Sequence, residues 1–110
     1  MNENEVNEYG VELDECGYSP SIIVAPQNRC YYCGSRKNLQ RHEIFNAASR
    51  KKSKRLGLWV LLCSACHYDI TFVHAESRIK LKAVGQKAAM THYGWTTEEF
   101  IETFGKNYRE

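Results

Sequence analysis

Two Cys-x-x-Cys pairs, Cys30/Cys33 and Cys63/Cys66, lie 29 residues apart on a chain of 110 residues. Each pair makes a turn that aims two sulfurs at one point, and two such turns complete a tetrahedron. The spacing therefore predicts a single four-cysteine zinc site. Gly34 suits the first turn, because glycine tolerates the backbone angles needed there. A reducing compartment disfavours disulfides, and nothing around either pair reads as the βαβ unit of a thioredoxin-like redox site. The fifth cysteine, Cys16, has no partner and reads as a spectator thiol. Four thiolates leave no open coordination position, so this zinc is expected to staple the fold rather than catalyse. A chain this short buries a small core, and metal binding on the order of 10 kcal/mol supplies what that core lacks.

Charge is segregated along the chain. Residues 1–28 hold six acidic residues and no Lys or Arg, whereas residues 29–110 hold all 15 basic residues against seven acidic ones. The acidic tail, residues 1–20, carries few large apolar side chains and is expected to be disordered. A single domain is expected over residues 21–110, beginning near Ser21 to Val24, with Pro20 and Pro26 marking an extended approach. The longest apolar stretch, Leu56 to Leu62, is interrupted by Gly57 and falls short of the roughly 18–20 residues of a membrane span. The N-terminus is acidic where a signal peptide is basic and apolar. A soluble, cytoplasmic protein with no membrane partner is the expectation.

The pattern reads as α+β. RCYYCG at 29–34 is a tight knuckle, Leu39 to Phe45 a short strand, and 46–57 a polar loop. Leu58 to Leu62 is a second strand, apolar on both faces. A helix follows Cys63, weakened in its second half by the run Ile70, Thr71, Phe72, Val73. Two C-terminal helices are predicted. The first runs from Ser77 to about Tyr93, with Gly85 an unfavourable interior residue and Gly94 a stop. The second starts at Thr96, which has capping-box spacing to Glu99, and buries Phe100, Ile101 and Phe104.

Zinc does not explain the histidines. His42 and His67 each sit a short distance from a knuckle, on elements that the staple brings side by side, so they can converge on a second metal ion. His74 lies seven residues beyond His67, two turns along the same face if the helix persists. His92 is explained by its place in the last turn of a helix. Arg50, Lys51, Lys52, Lys54 and Arg55 put five positive charges in six positions, a loop suited to the phosphate backbone of DNA. Tyr31, Tyr32 and Trp59 can stack on bases or pack in the core.

In their order and spacing, CYYC, HEIF and GLWVLLCSACH resemble the HNH, or ββα-metal, nuclease family, in the subgroup stapled by a four-cysteine zinc site. Residues 21–110 are similar to small phage and prophage HNH proteins, sharing an SII segment, a basic NRKKS-like loop, a GLxVxLC strand and a region from KLK to FGKNY. The resemblance implies a ββα-metal core followed by two helices, and a metal-dependent DNA endonuclease that hydrolyses phosphodiester bonds in a bacterial host cell. It implies His42 as first ligand, Glu43 in the general-base position and His67 as helix ligand to Mg²⁺, Mn²⁺ or another divalent ion, with His74 a further candidate. Two positions depart from the pattern: the base is usually histidine, and the middle Asn falls near Leu58, with Ser49 at the loop Asn and Asn46 the nearest substitute. The competing reading is a non-catalytic zinc-ribbon module that binds DNA or a protein, differing at His42, Glu43 and His67. A third has the acidic tail folding back on the basic face as a DNA mimic. One such site cuts one strand, so a double-strand cut needs a homodimer or two events.

Overall fold

The computed structural model describes residues 5–23 and 28–108. The elements are β1 (Leu39–Glu43), α1 (Arg50–Arg55), β2 (Trp59–Cys63), α2 (Ser64–Tyr68), α3 (Ala75–Tyr93) and α4 (Thr97–Phe104). A 3-10 turn at Ala47–Ser49 precedes α1, and a π-helical stretch at Asp69–Val73 joins α2 to α3. This is the expected α+β class, a two-stranded sheet with four helices and a four-cysteine cluster. Among the described residues no helix is long and apolar enough to cross a membrane.

The strands pair antiparallel, with His42 opposite Val60 and Glu43 opposite Trp59. Side chains alternate across a strand, so Gln40 and His42 share the face of Val60 and Leu62, while Arg41 and Glu43 share the face of Trp59 and Leu61. The first face carries the core: Val60 and Leu62 are fully buried with Leu58, Ile44, Phe45, Ile70, Leu81, Ala89, Phe100 and Phe104. The glycine inside α3 has a packing reason, since a Cβ on Gly85 would lie 2.9 Å from the Ile44 Cγ2 methyl and 3.1 Å from the Phe45 ring.

Four local expectations need correction. Residues 50–55 form a helix rather than a loop, because Lys and Arg are good helix formers and Ser53 gives the segment a buried anchor. Its hydroxyl accepts from the Phe45 N–H at 3.2 Å and donates to the Leu58 carbonyl, tying α1 to both ends of the strand connection. The helix after Cys63 stops at Tyr68 and widens into the π-helical stretch, closed by a bond from His74 N–H to the Asp69 carbonyl at 2.7 Å. The β-branched and aromatic residues there, crowded against the preceding turn, are the physical reason. In α4 both bonds of the Thr96/Glu99 capping box form, but Ile101 lies on the exposed side and only Phe100 and Phe104 are buried.

The fourth correction concerns the acidic segment. Residues 1–4 and 24–27 lie outside the described residues, the latter including Val24 and Pro26. Residues 5–23, far from disordered, form a strap across the strands and α1. Leu13 is 1% exposed, and Asn7, also buried, donates through Nδ2 to the Arg55 carbonyl at 2.7 Å. Ser19 N–H donates to the Lys54 carbonyl at 3.0 Å, Ile22 N–H to the Gly57 carbonyl at 2.9 Å, and Trp59 Nε1–H to the Ser19 carbonyl at 2.8 Å. A low average apolar content hid one well-placed leucine and a row of backbone donors that the domain satisfies.

Gly57 is the hinge of this docking. Its φ is +75°, and a Cβ there would collide with the Pro20 carbonyl oxygen and crowd Ile22. Gly57→Ala is expected to cost about 2 kcal/mol or more, combining left-handed strain with the clash. A lowered urea midpoint, together with faster proteolysis of the first 23 residues, would be the observed outcome.

Candidate functional site

The four cysteines are brought together by elements of different origin. Cys63 ends β2 and caps α2, its Sγ accepting from Cys66 N–H, so the second pair is one strand-to-helix corner. The first pair sits in a knuckle closed by Gly34 N–H to Cys30 O at 3.0 Å and Cys30 N–H to Ser35 O at 2.8 Å. Tyr31 N–H donates to the Leu61 carbonyl at 2.7 Å, which fastens the knuckle to β2. All four Sγ atoms lie within 4.8 Å of one another, and Cys33 and Cys63 are 3.6 Å apart. Four thiolates at about 2.3 Å from one ion would stand roughly 3.8 Å apart, so the cluster fits a tetrahedral site for a metal such as zinc. Burial opposes ionisation of Cys30, yet backbone N–H groups of Cys33, Cys63 and Tyr32 outweigh it and bring the thiol down to about 6. Burial and the neighbouring thiols push Cys66 the other way. Cys16 is exposed and far from this role.

Beside the cluster, β1, α2 and the first turn of α3 enclose a cleft of about 220 Å³ lined by Arg41, His42, Glu43, Asn46, Arg50, His67, Thr71 and Arg78. His42 is 6% exposed, and its Nε2 is buried with no hydrogen-bond partner among the described residues. Its ring centroid lies 5.3 Å from that of His67. Burial first, then the His67 ring, hold the His42 imidazole down to about 4, so it is neutral at neutral pH. His67 Nδ1 is 2.7 Å from Gln40 Oε1. An amide oxygen only accepts, so that contact fixes Nδ1 as the donor and leaves Nε2 with a free lone pair.

Glu43 stands apart from the two histidines. As the next residue on the strand it projects from the opposite face, and among the described residues only the four cysteines gather three or more potential ligands closely. It reaches the cleft because β1 ends there. Its Oε2 accepts from the Tyr18 hydroxyl, and its Oε1 lies 3.3 Å from Arg50 Nε. Tyr18 is kept protonated by burial and by the adjacent carboxylate. His74, placed with His67 on a continuous helix by spacing, is exposed outside the cleft and bonded to Asp69 at 2.9 Å, because the π-helical stretch breaks the two-turn register. Leu58 and Ser49 offer nothing to the cleft, whereas Asn46 lines it.

Most of the predicted basic residues have internal partners. Arg55 bonds Glu8 at 3.2 Å, the Val6 carbonyl and, more distantly, Glu5, while Lys52 donates to the Thr103 carbonyl at 2.7 Å. Lys54 Nζ lies 4.8 Å from the Tyr18 ring centroid. Lys51 is exposed, and with Arg50, Lys54 and Arg55 it lines a second cleft of about 430 Å³ between α1 and the strap. Trp59 is packed edge-on against Tyr18 rather than presented for stacking, and Tyr31 and Tyr32 pack on each other.

Gln40, Thr71, Arg78 and Tyr18 escaped the sequence reading. Gln40 and Thr71 had a signal, two positions before His42 on the strand and four after His67 on the helix. Arg78 and Tyr18 had none, since folding alone brings them in. Comparison with family models, with curated proteins and with solved structures finds no match for the chain.

Metal removal tests the cysteine cluster directly. Binding on the order of 10 kcal/mol is comparable to the whole stability of a small domain. The protein is expected to carry one zinc per chain by elemental analysis, and a strong chelator or Cys63→Ser should abolish the cooperative thermal transition seen by circular dichroism.

Proposed function

We propose that the chain is a metal-dependent DNA endonuclease of the HNH type, with a structural zinc held by Cys30, Cys33, Cys63 and Cys66. The observation that carries this reading is the buried Nε2 of His42, without a hydrogen-bond partner among the described residues, on a ring whose centroid lies 5.3 Å from that of His67 in a polar cleft. Leaving such a nitrogen unmet costs about 1–3 kcal/mol, a cost that ligation removes. His42 and His67 would hold a Mg²⁺, Mn²⁺ or other divalent ion, which when bound polarises the phosphate and stabilises the leaving oxygen. Gln40 orients His67 for that role. Arg78 lines the same cleft and suits a non-bridging oxygen of a phosphodiester. Glu43 accepts a proton from the attacking water. Arg50 and Lys51 are exposed on α1, where a flanking backbone would run. One cleft cuts one strand, so a double-strand cut takes a homodimer or two events; a phage or prophage enzyme of this type acts in the host cytoplasm.

A non-catalytic zinc-stapled module that binds DNA or a protein is the second reading. It is favoured by the state of Glu43, whose two oxygens are both engaged.

Nicking of supercoiled plasmid separates the two. The zinc-loaded protein is expected to nick with Mg²⁺ or Mn²⁺ and not with EDTA. His42→Ala should lower the rate roughly 1,000-fold, as loss of several kcal/mol of metal-centred stabilisation implies, while zinc content stays at one per chain. Gln40→Ala should weaken the activating ion 10- to 100-fold, read as the shift in its half-saturating concentration. No cutting with any ion, alongside intact DNA retention, would establish the binding module.

A further inference from the structure

Resting on the nuclease reading, we propose that Tyr18 is a positioning residue for Glu43, holding Oε2 so that Oε1 is the atom that takes the proton of the attacking water. The strap delivers this phenol to a fixed place. Ser19, next in sequence, is tied on both sides, its N–H to the Lys54 carbonyl and its carbonyl to Trp59 Nε1–H. Asp14 pairs with Arg41 at 2.9 Å. The Tyr18 ring itself is wedged against Trp59, with ring centroids 5.6 Å apart, and the Arg41 guanidinium covers it at 4.2 Å. The hydroxyl of this constrained, partly buried ring donates to Glu43 Oε2.

The two partners of the carboxylate are unequal. Arg50 stands on a side chain 63% exposed, at the first position of α1 and on the walls of both clefts, so an incoming phosphate can draw it away. Tyr18 is uncharged, has no such attraction, and stays. Arrival of the substrate then frees Oε1 while Oε2 remains held. The water gives its proton to Oε1, its oxygen bonds to phosphorus, the bond from phosphorus to the leaving sugar oxygen breaks, and that oxygen is protonated from solvent. On this account the strap is part of the site. Its buried Leu13 and paired backbone groups make it unlike a detachable DNA mimic.

The test uses the full chain, zinc-loaded, with supercoiled plasmid and Mn²⁺ or Mg²⁺. Tyr18→Phe keeps the ring and its packing and removes only the hydroxyl. It is expected to lower kcat 10- to 100-fold, with KM and the melting temperature close to wild type, and to cause no further loss in the residual rate of Glu43→Gln. A wild-type kcat in Tyr18→Phe overturns the inference. So does an equal loss in the Glu43→Gln background, which is what a purely structural role gives. If Tyr18→Phe melts early, the cycle still decides, because loss through unfolding carries into that background in full and loss of positioning vanishes there. A wild type that fails to nick whichever ion is supplied overturns the nuclease reading and this inference together. A wild type that nicks normally beside an unaffected Tyr18→Phe overturns this inference alone.

Discussion

Four sulfurs gathered within 4.8 Å hold a segment of 37 residues, from Cys30 to Cys66, by its two ends. Everything between must leave the knuckle and return, and the shortest way to do so while pairing backbone groups is an antiparallel hairpin. A two-stranded sheet is marginal by itself, so it needs the clamp at one end and a helical layer on one face. The corner at Cys63 meets both needs: it places two ligands and starts the helix that carries His67. The metal site and the cleft are thus consequences of one turn.

The alternation of side chains along β1 sets the electrostatics of the cleft. Gln40 and His42 face the helical side, where His42 is buried and neutral and the exposed Gln40 amide meets His67. Arg41 and Glu43 face the strap, where they meet Asp14, Tyr18 and Trp59 in a network of charge and aromatic contacts. Two consecutive residues thus occupy environments of different polarity. The carboxylate joins the histidines only at the mouth of the cleft, where the strand ends.

The acidic strap changes how the basic helix is understood. Exposed ion pairs such as Arg55 with Glu8 contribute about 0–1 kcal/mol each, too little to hold the strap alone. Leu13, Asn7 and the backbone bonds to Lys54 and Gly57 hold it, and the charges set its register. Once docked, the strap removes Arg55 from the free positive surface, while Arg50 and Lys51 remain at the edge of the strap and Arg50 also lines the histidine cleft. The segregation of charge along the sequence becomes a local complementarity in the fold.

Much of this was legible in residue spacing. The cysteine pairs located the staple, the Thr96/Glu99 interval placed the last helix, and the positions of His42 and His67 relative to the knuckles foretold that they would meet. Those features depend on short-range geometry, which fixed intervals encode. The place of His74 was misjudged because the widening of a helix into π geometry depends on how Ile70 packs in the core. The disorder expected of the acidic segment does not hold for residues 5–20 for a related reason, since average composition does not reveal that a single leucine finds a slot. Tyr18 reaches Glu43 from 25 residues away and Arg78 reaches the cleft from 35 residues away, and no local pattern records such meetings. The sequence by itself determined the four-cysteine cluster, the strand and helix that carry His42 and His67, and their order. Which side of the strand each group faces, and which distant residue completes its environment, was decided by tertiary packing, because burial and long-range pairing are properties of the whole fold.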